Sequence, residues 1–382
     1  MILFFVIFFT IYGGVHAYVF FRARTVLEFG PSFGTALVVF MLTMTLAPYV
    51  VRLLEQYGHE PAARIVSYIG YFWMGLVFLF FASSLLFDFI SLLGRLVGLV
   101  TRADASAFFI PPQLSFLISV VLAIAISTYG YFDAKNIRTE LLVVETSKLP
   151  GSMKKLTIVQ ISDVHLGLIV GRDRMRKILQ KVKAARPDVL VCTGDLVDAQ
   201  INHLPGLANL LGRIKPRYGK YAVTGNHEYY AGLRKSLRFM RKSGFIVLRG
   251  RAVASGGITI VGVDDPTGIQ LRIDKPVSEK RILSRLPRNK FTLLLKHRPQ
   301  TDLVSSRLFD LQLSGHTHSG QIFPFGLLSK IAYRMHSGGY VLPTGSLVYV
   351  SRGSGTWGPP IRFLSPPEVT VIEVVRKKRK RR

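Results

Sequence analysis

Five short blocks of this chain carry side chains able to hold metal ions: Asp163-Val164-His165, Gly194-Asp195-Leu196-Val197-Asp198, Gly225-Asn226-His227-Glu228, Lys296-His297 and Gly315-His316-Thr317-His318. A lone Asp or His after an apolar run is usually a turn former or a cap. Five such blocks in succession, each closing an apolar run, outweigh that bland reading. Imidazole nitrogen and carboxylate oxygen suit Mn, Fe or Zn without any thiolate. The only cysteine, Cys192, excludes an intrachain disulfide. Two divalent ions held about 3.5–4 Å apart can clamp a phosphoryl group and activate the attacking water, and a carboxylate between them is the simplest bridge. A neighbouring histidine would then protonate or stabilise the departing oxygen.

The elements that must place these blocks follow from the apolar pattern. Leu156–Ile161, Val189–Thr193, Tyr221–Thr224, Ile258–Val263, Phe291–Leu295 and Leu311–Leu313 read as buried strands, with Leu347–Ser351 and Val369–Val375 closing the domain. Arg172–Ala185, Gly232–Lys242 and Ser278–Leu286 read as helices between them. Strands layered with helices give an α/β domain, and α/β domains build their sites at the carboxyl ends of strands. All five blocks sit at such ends.

Ahead of this domain the composition changes. Residues 1–133 carry six Lys or Arg against six Asp or Glu, while the remainder holds 44 basic against 16 acidic side chains and the whole net charge of +28. Met1–Leu27 (apart from Arg22 and Arg24), Phe29–Val51, Ile65–Phe87 and Ala105–Phe132 lack charge and can each supply the roughly 20 apolar residues of a spanning helix. Val15-His16-Ala17 loosely resembles a signal-peptide cleavage site, yet no positive residue precedes the run and three apolar segments follow, so a retained helix is expected. Lys135, Arg138, Lys148, Lys154 and Lys155 accumulate after the fourth helix. The positive-inside rule then places the C-terminal domain in the cytoplasm, with the helices in the cell's inner (plasma) membrane. The expected organisation is a transmembrane region over 1–133, a linker over 134–154, an α/β domain over 155–375 and a polybasic tail over 376–382.

Together the five blocks resemble the calcineurin-like metallophosphoesterase superfamily over roughly Leu156 to Val375. The resemblance implies a layered αββα sandwich behind four transmembrane helices. It also implies that Asp163, His165 and His318 hold one metal, that Asn226, His297 and His316 hold the second, and that Asp195 bridges them. His227 would contact the leaving group, oriented by Asp198. GHTHSGQIFPF, YVSRGSGTWGPPIRF and PEVTVIEV are similar to a bacterial membrane-associated branch, many members of which have glycine where Ser319 stands. That branch resembles enzymes cleaving the pyrophosphate of UDP-2,3-diacylglucosamine in lipid A synthesis.

The expected activity is therefore metal-dependent hydrolysis of a phosphodiester or pyrophosphate in a lipid-linked or nucleotide-linked substrate. A nuclease or cyclic-nucleotide phosphodiesterase is the alternative suggested by the basic charge, ranked lower because no nucleic-acid module is visible. A membrane sensor that keeps the fold without catalysis is the third. Arg234, Lys235, Arg238, Arg241 and Lys242 gather on one helical face and, like Arg376–Arg382, suit anionic lipid. The glycines and aromatics of Gly320–Gly358 resemble a loop region lining the site. His59, His203 and His336 read as ordinary surface or loop residues, and His16 as a helix-end residue reaching the membrane interface.

Overall fold

The computed structural model describes residues 2–102, 108–198 and 206–377; His203 and most of the basic tail lie outside them. The chain divides into two compact units. One holds the residues up to Phe132 together with Gly358–Ile361, the other Asp133–Trp357 and the residues from Arg362 onward.

The first unit is built from α1 (Ile2–Leu27), α2 (Pro31–Gln56), α3 (Glu60–Thr101) and α4 (Pro112–Asp133), each long and apolar enough to cross a membrane. At 42 residues α3 is about 63 Å long, twice the hydrocarbon thickness of a bilayer. The charge-free run stops at Phe87 because Asp88 follows, but the helix continues because that charge is absorbed. Asp88 pairs with Arg22 at 2.9 Å and accepts from the Tyr18 hydroxyl at 2.6 Å. Arg22 also donates to Ser115 on α4. Proline at the first position starts α4 at Pro112, where its missing N–H costs nothing.

His16 departs from expectation. It is buried in the middle of α1 rather than placed near an end, and its ring accepts from the Trp73 indole on α3 at 2.9 Å and bonds the Tyr12 carbonyl. Both ring nitrogens are thus satisfied inside the helical unit, so the side chain has no need of the interface. At the α2–α3 contact a Cβ added to Gly70 would lie 2.6 Å from Ala47 Cβ, the close small-residue approach common between membrane helices.

The second unit carries two six-stranded sheets. The first is formed by β1 (Arg138–Thr146), β2 (Lys155–Ile161), β3 (Val189–Cys192), β4 (Lys220–Ala222), β5 (Ile246–Val247) and β12 (Glu368–Arg376), in the order β1-β12-β2-β3-β4-β5. The second is formed by β6 (Arg251–Ser255), β7 (Ile258–Gly262), β8 (Thr292–Leu295), β9 (Leu311–Ser314), β10 (Gly338–Val341) and β11 (Leu347–Val350), in the order β10-β11-β9-β8-β7-β6. Strands β2 to β5 run parallel, as do β7, β8, β9 and β11, so their carboxyl ends point one way within each sheet.

Side-chain alternation divides the core. Leu156 and Ile158 of β2 face the inter-sheet layer with Val189, Val191, Leu293 and Leu313. Val159 and Ile161 face the other way, onto α5 (Arg172–Ala184), α6 (Leu207–Gly212) and α8 (Leu233–Lys242). A smaller cluster covers the far face of the second sheet, where Leu283 of α10 (Glu279–Leu283) meets Val261, Leu294 and Val348. The result is the expected layering of helix, sheet, sheet and helix. Fully burying each of these aliphatic side chains contributes about 1.5–3 kcal/mol.

The stretch 134–154, read above as a linker, contains β1, which pairs in parallel with β12 over nine residues. Arg352 ties the two strands, bonding Glu140 of β1 and, at 2.8 Å, Glu368 of β12.

Candidate metal centre

Every block lies just beyond a parallel strand: Asp163 and His165 after β2, Asp195 and Asp198 after β3, Asn226 and His227 after β4, His297 after β8, and His316 and His318 after β9. Two glycines allow the loops to meet. A Cβ at Gly225 would run into the Asp195 carboxylate, and one at Gly315 into Ser162 and Asp163. The backbone itself is bent to the task. Asp163, His165, Asp195, His316 and His318 all have φ between 49° and 74°, the left-handed region that a non-glycine residue rarely enters.

Six of the side chains named above fall into two groups whose ligand atoms lie within 4.8 Å of one another, Asp163–His165–His318 and Asp195–His297–His316. Asp195 stands between them, its Oδ2 3.1 Å from His297 Nε2 and 3.8 Å from His165 Nε2. Asn226 joins the second group, with Oδ1 3.2 Å from His297 Nε2. His316 turns Nδ1 toward His297 Nε2 at 3.1 Å. A third group of His165, Asp195 and His227 overlaps the first two, so His227 stands at the edge of the centre, its Nδ1 3.0 Å from Asp198 Oδ1. All nine residues singled out from the sequence are therefore brought together.

The donor set fits divalent ions. His165 Nε2 and His318 Nε2 face each other at 3.0 Å, an approach that needs a shared proton or a cation to offset lone-pair repulsion. Burial, aided by neighbouring positive groups, keeps His316 and His318 neutral: His316 is pushed down to about 3 with help from His297, and His318 falls well below its ordinary range with help from Arg362. Neutral imidazole is the form a metal requires. Burial opposes ionisation of Asp195, yet His297 and His227 hold its carboxyl well below the usual range. Burial raises Asp163, which His297 and His165 partly offset.

Several residues given no role in the sequence analysis complete the frame. Glu228 is fully buried, and its carboxylate accepts from the backbone N–H groups of Asp195 (2.9 Å), Leu196 (2.8 Å), Val197 (3.3 Å) and Gly225 (2.7 Å). In return Asp195 Oδ1 accepts from the His227 N–H at 2.8 Å. His297 is oriented by the Thr193 carbonyl at 2.8 Å, and His316 Nε2 meets the Tyr333 hydroxyl at 2.7 Å. Among the described residues Arg362 is the largest fully buried side chain, with contacts to the carbonyls of His318, Gly355 and Arg352 and to His318 Nδ1 at 3.0 Å. His336, read as an ordinary surface or loop residue, lies in a loop but is buried, and Thr317 Oγ1 donates to its carbonyl. His59 is exposed, as expected. Ser319 has φ 50°, a conformation glycine would adopt without strain.

Carboxylates and imidazoles gathered at the strand ends of a two-sheet sandwich define an α/β protein with a metal centre. Residues 156–320 match the family described as calcineurin-like phosphoesterase. An uncharacterized metallophosphoesterase of Aquifex aeolicus is 39% identical over 255 residues, covering 66% of this chain and 97% of the relative. One from Campylobacter jejuni is 32% identical over 321 residues, 82% of this chain and 84% of that one. A transmembrane protein with metallophosphoesterase domain from Danio rerio is 32% identical over 339 residues, covering 84% and 75% respectively. The chain belongs to the calcineurin-like metallophosphoesterases.

Arg362 holds the His318 backbone from behind by donating to its carbonyl at 3.1 Å, and removing such outer support commonly weakens metal affinity 10- to 100-fold. Arg362→Gln should lower Mn²⁺ affinity by about that factor, with Arg362→Lys intermediate. Titration of metal-stripped protein in a buffered Mn²⁺ series checks this, and an unchanged binding curve for Arg362→Gln would refute it.

Proposed function

We propose that this protein is a dinuclear phosphoesterase that hydrolyses a phosphodiester or pyrophosphate bond in a lipid-linked or nucleotide-linked substrate at the bacterial inner membrane. UDP-2,3-diacylglucosamine, an intermediate of lipid A synthesis, is the first substrate to try. The observation carrying the reading is Asp195, whose carboxylate reaches toward both ligand groups at once. On this reading Asp163, His165 and His318 hold one ion, Asn226, His297 and His316 the other, and Asp195 both. Bound divalent ions (Mn, Fe or Zn) supply Lewis-acid stabilisation of the phosphoryl oxygens and activation of the attacking water.

The chain's own residues do the rest. Asp198 accepts from His227 Nδ1, which leaves Nε2 to give its proton to the departing oxygen. Burial alone would lower His227, but Asp195 and Asp198 more than offset it and hold the group up at about 9. Asp198 stays ionised because His165 and His227 outweigh its own burial.

A cytoplasmic position for this unit follows from the basic residues after α4. Anionic lipid is the proposed partner of the helical layer. Arg234, Lys235, Arg238, Arg241 and Lys242 of α8 are exposed, as are Arg172, Arg176, Lys177, Lys181 and Lys183 of α5.

Three outcomes are expected. The Mn²⁺-loaded full chain in detergent should hydrolyse bis(p-nitrophenyl) phosphate, and Asp195→Asn should reduce turnover on the order of a thousandfold or more, several kcal/mol of transition-state stabilisation. Turnover without added metal, or an active variant, would end the dinuclear reading. Because His227 acts as an acid, kcat should be full below its titration and fall as pH rises through about 9; a profile without that alkaline limb removes His227 from the role. Replacing Arg234, Arg238 and Arg241 by Glu should weaken binding to anionic vesicles at least tenfold, from about 1 kcal/mol for each basic residue lost, and equal binding would discard the lipid partner.

A further inference from the structure

The helix Phe325–Ala332 is apolar, yet it buries none of its own residues. It follows the turn that carries His318 and ends beside Tyr333, whose hydroxyl meets His316 Nε2 at 2.7 Å. A Cβ added to Gly320 would run into Gly326, so the first turn of the helix is pressed against the loop of the metal centre. On and just ahead of the helix, Phe323, Phe325, Leu327, Leu328 and Ile331 are all exposed, Ile331 at 82%. Leu327 and Leu328 lie four and three residues before Ile331, so these three share one face. Lys330 and Arg334 are exposed as well, and no acidic residue occurs between residues 321 and 341.

We propose that this helix dips into the surface of the bilayer, its apolar face among the outermost acyl carbons and its two cations at the lipid phosphates. Exposed apolar side chains gathered this closely mark an interaction surface. α4 names the partner, because it is long and apolar enough to cross a membrane and residues 134–137 alone separate it from β1. Lys and Arg suit such a position, their stems lying along apolar surface while their heads reach the phosphates. A second copy of the chain fits the face less well. A two-fold contact would bring Lys330 and Arg334 toward their own counterparts, with no carboxylate in the segment to pair with them. The attachment is apolar and separate from the basic faces of α5 and α8, so it persists on uncharged lipid. Nor does it depend on catalysis. Its consequence is positional, since the loop of His316 and His318 is thereby held at the level of the headgroups.

The test places the full chain, one copy per disc, in nanodiscs of neutral phosphatidylcholine, with Cys192→Ala removing the native thiol. Nitroxide labels are attached at Leu328→Cys, at Ile331→Cys and, as a water-facing reference, at Arg285→Cys, an exposed position after α10. Power-saturation spectroscopy then compares collisions with dissolved oxygen, which concentrates in lipid, and with a water-soluble nickel chelate. The ratio of oxygen to nickel collisions at Leu328 and Ile331 should exceed that at Arg285 severalfold. Equal ratios at all three positions overturn the proposal. So does nickel contact in single-copy discs that vanishes when two copies share a disc, which assigns the face to a second copy. A second arm carries Leu327→Ser/Leu328→Ser/Ile331→Ser with the label at Phe325→Cys, where the oxygen preference seen without the serines should be lost. A preference that survives the serines also overturns the proposal, because the apolar face would then not be what holds the helix in lipid. None of these side chains is buried, so the melting temperature should stay unchanged throughout.

Discussion

Glu228 is in none of the candidate ligand groups among the described residues, yet the two loops after β3 and β4 close around it. Four backbone N–H groups from those loops converge on its carboxylate. The Asp195 carboxylate answers by accepting the N–H of His227. Each loop is therefore satisfied by a side chain of the other, and neither can take its observed course alone. Without Glu228 four buried donors would be orphaned, at about 1–3 kcal/mol each. The group is fully buried, and desolvation together with the nearby Asp195 pushes its carboxyl up to about 7, opposed by the N–H groups that hold it. The position of Asp195, on which any two-ion reading turns, is thus set by a residue behind the centre.

The same logic recurs around the periphery. Thr193 fixes His297, Tyr333 meets His316, and Arg362 donates to the carbonyls of His318, Arg352, Gly355 and Ser365. These contacts lock the imidazole orientations that the strand ends only roughly supply. The C-terminal chain contributes twice, through β12 inside the first sheet and through Arg362 at the centre.

Much of this could be read in the sequence because apolar runs ending in Asp, Asn or His are a local pattern. Eight of the twelve strands, three of the helices and the blocks that hold the nine site residues follow from it. What was not legible comes from contacts between distant segments. Leu141–Val144 has strand-forming residues, but its place beside β12 depends on pairing across more than 200 residues. Asp88 looked like the end of a span until its partners on α1 were known. His16 and His336 looked peripheral because burial in a fold is not written in neighbouring residues. Arg362 was hidden for a related reason, since a buried guanidinium makes sense only among carbonyls gathered from three loops.

The left-handed backbone at five candidate ligand residues has a consequence for how this centre can change. Such conformations cost on the order of 1–3 kcal/mol each for residues with a side chain, somewhat less for aspartate. Five of them approach the whole net stability of an ordinary domain, about 5–15 kcal/mol. Only a rigid surround can hold so many at once, so the motif is inseparable from its sandwich. Grafting the five blocks onto another scaffold would copy the letters and lose the aim.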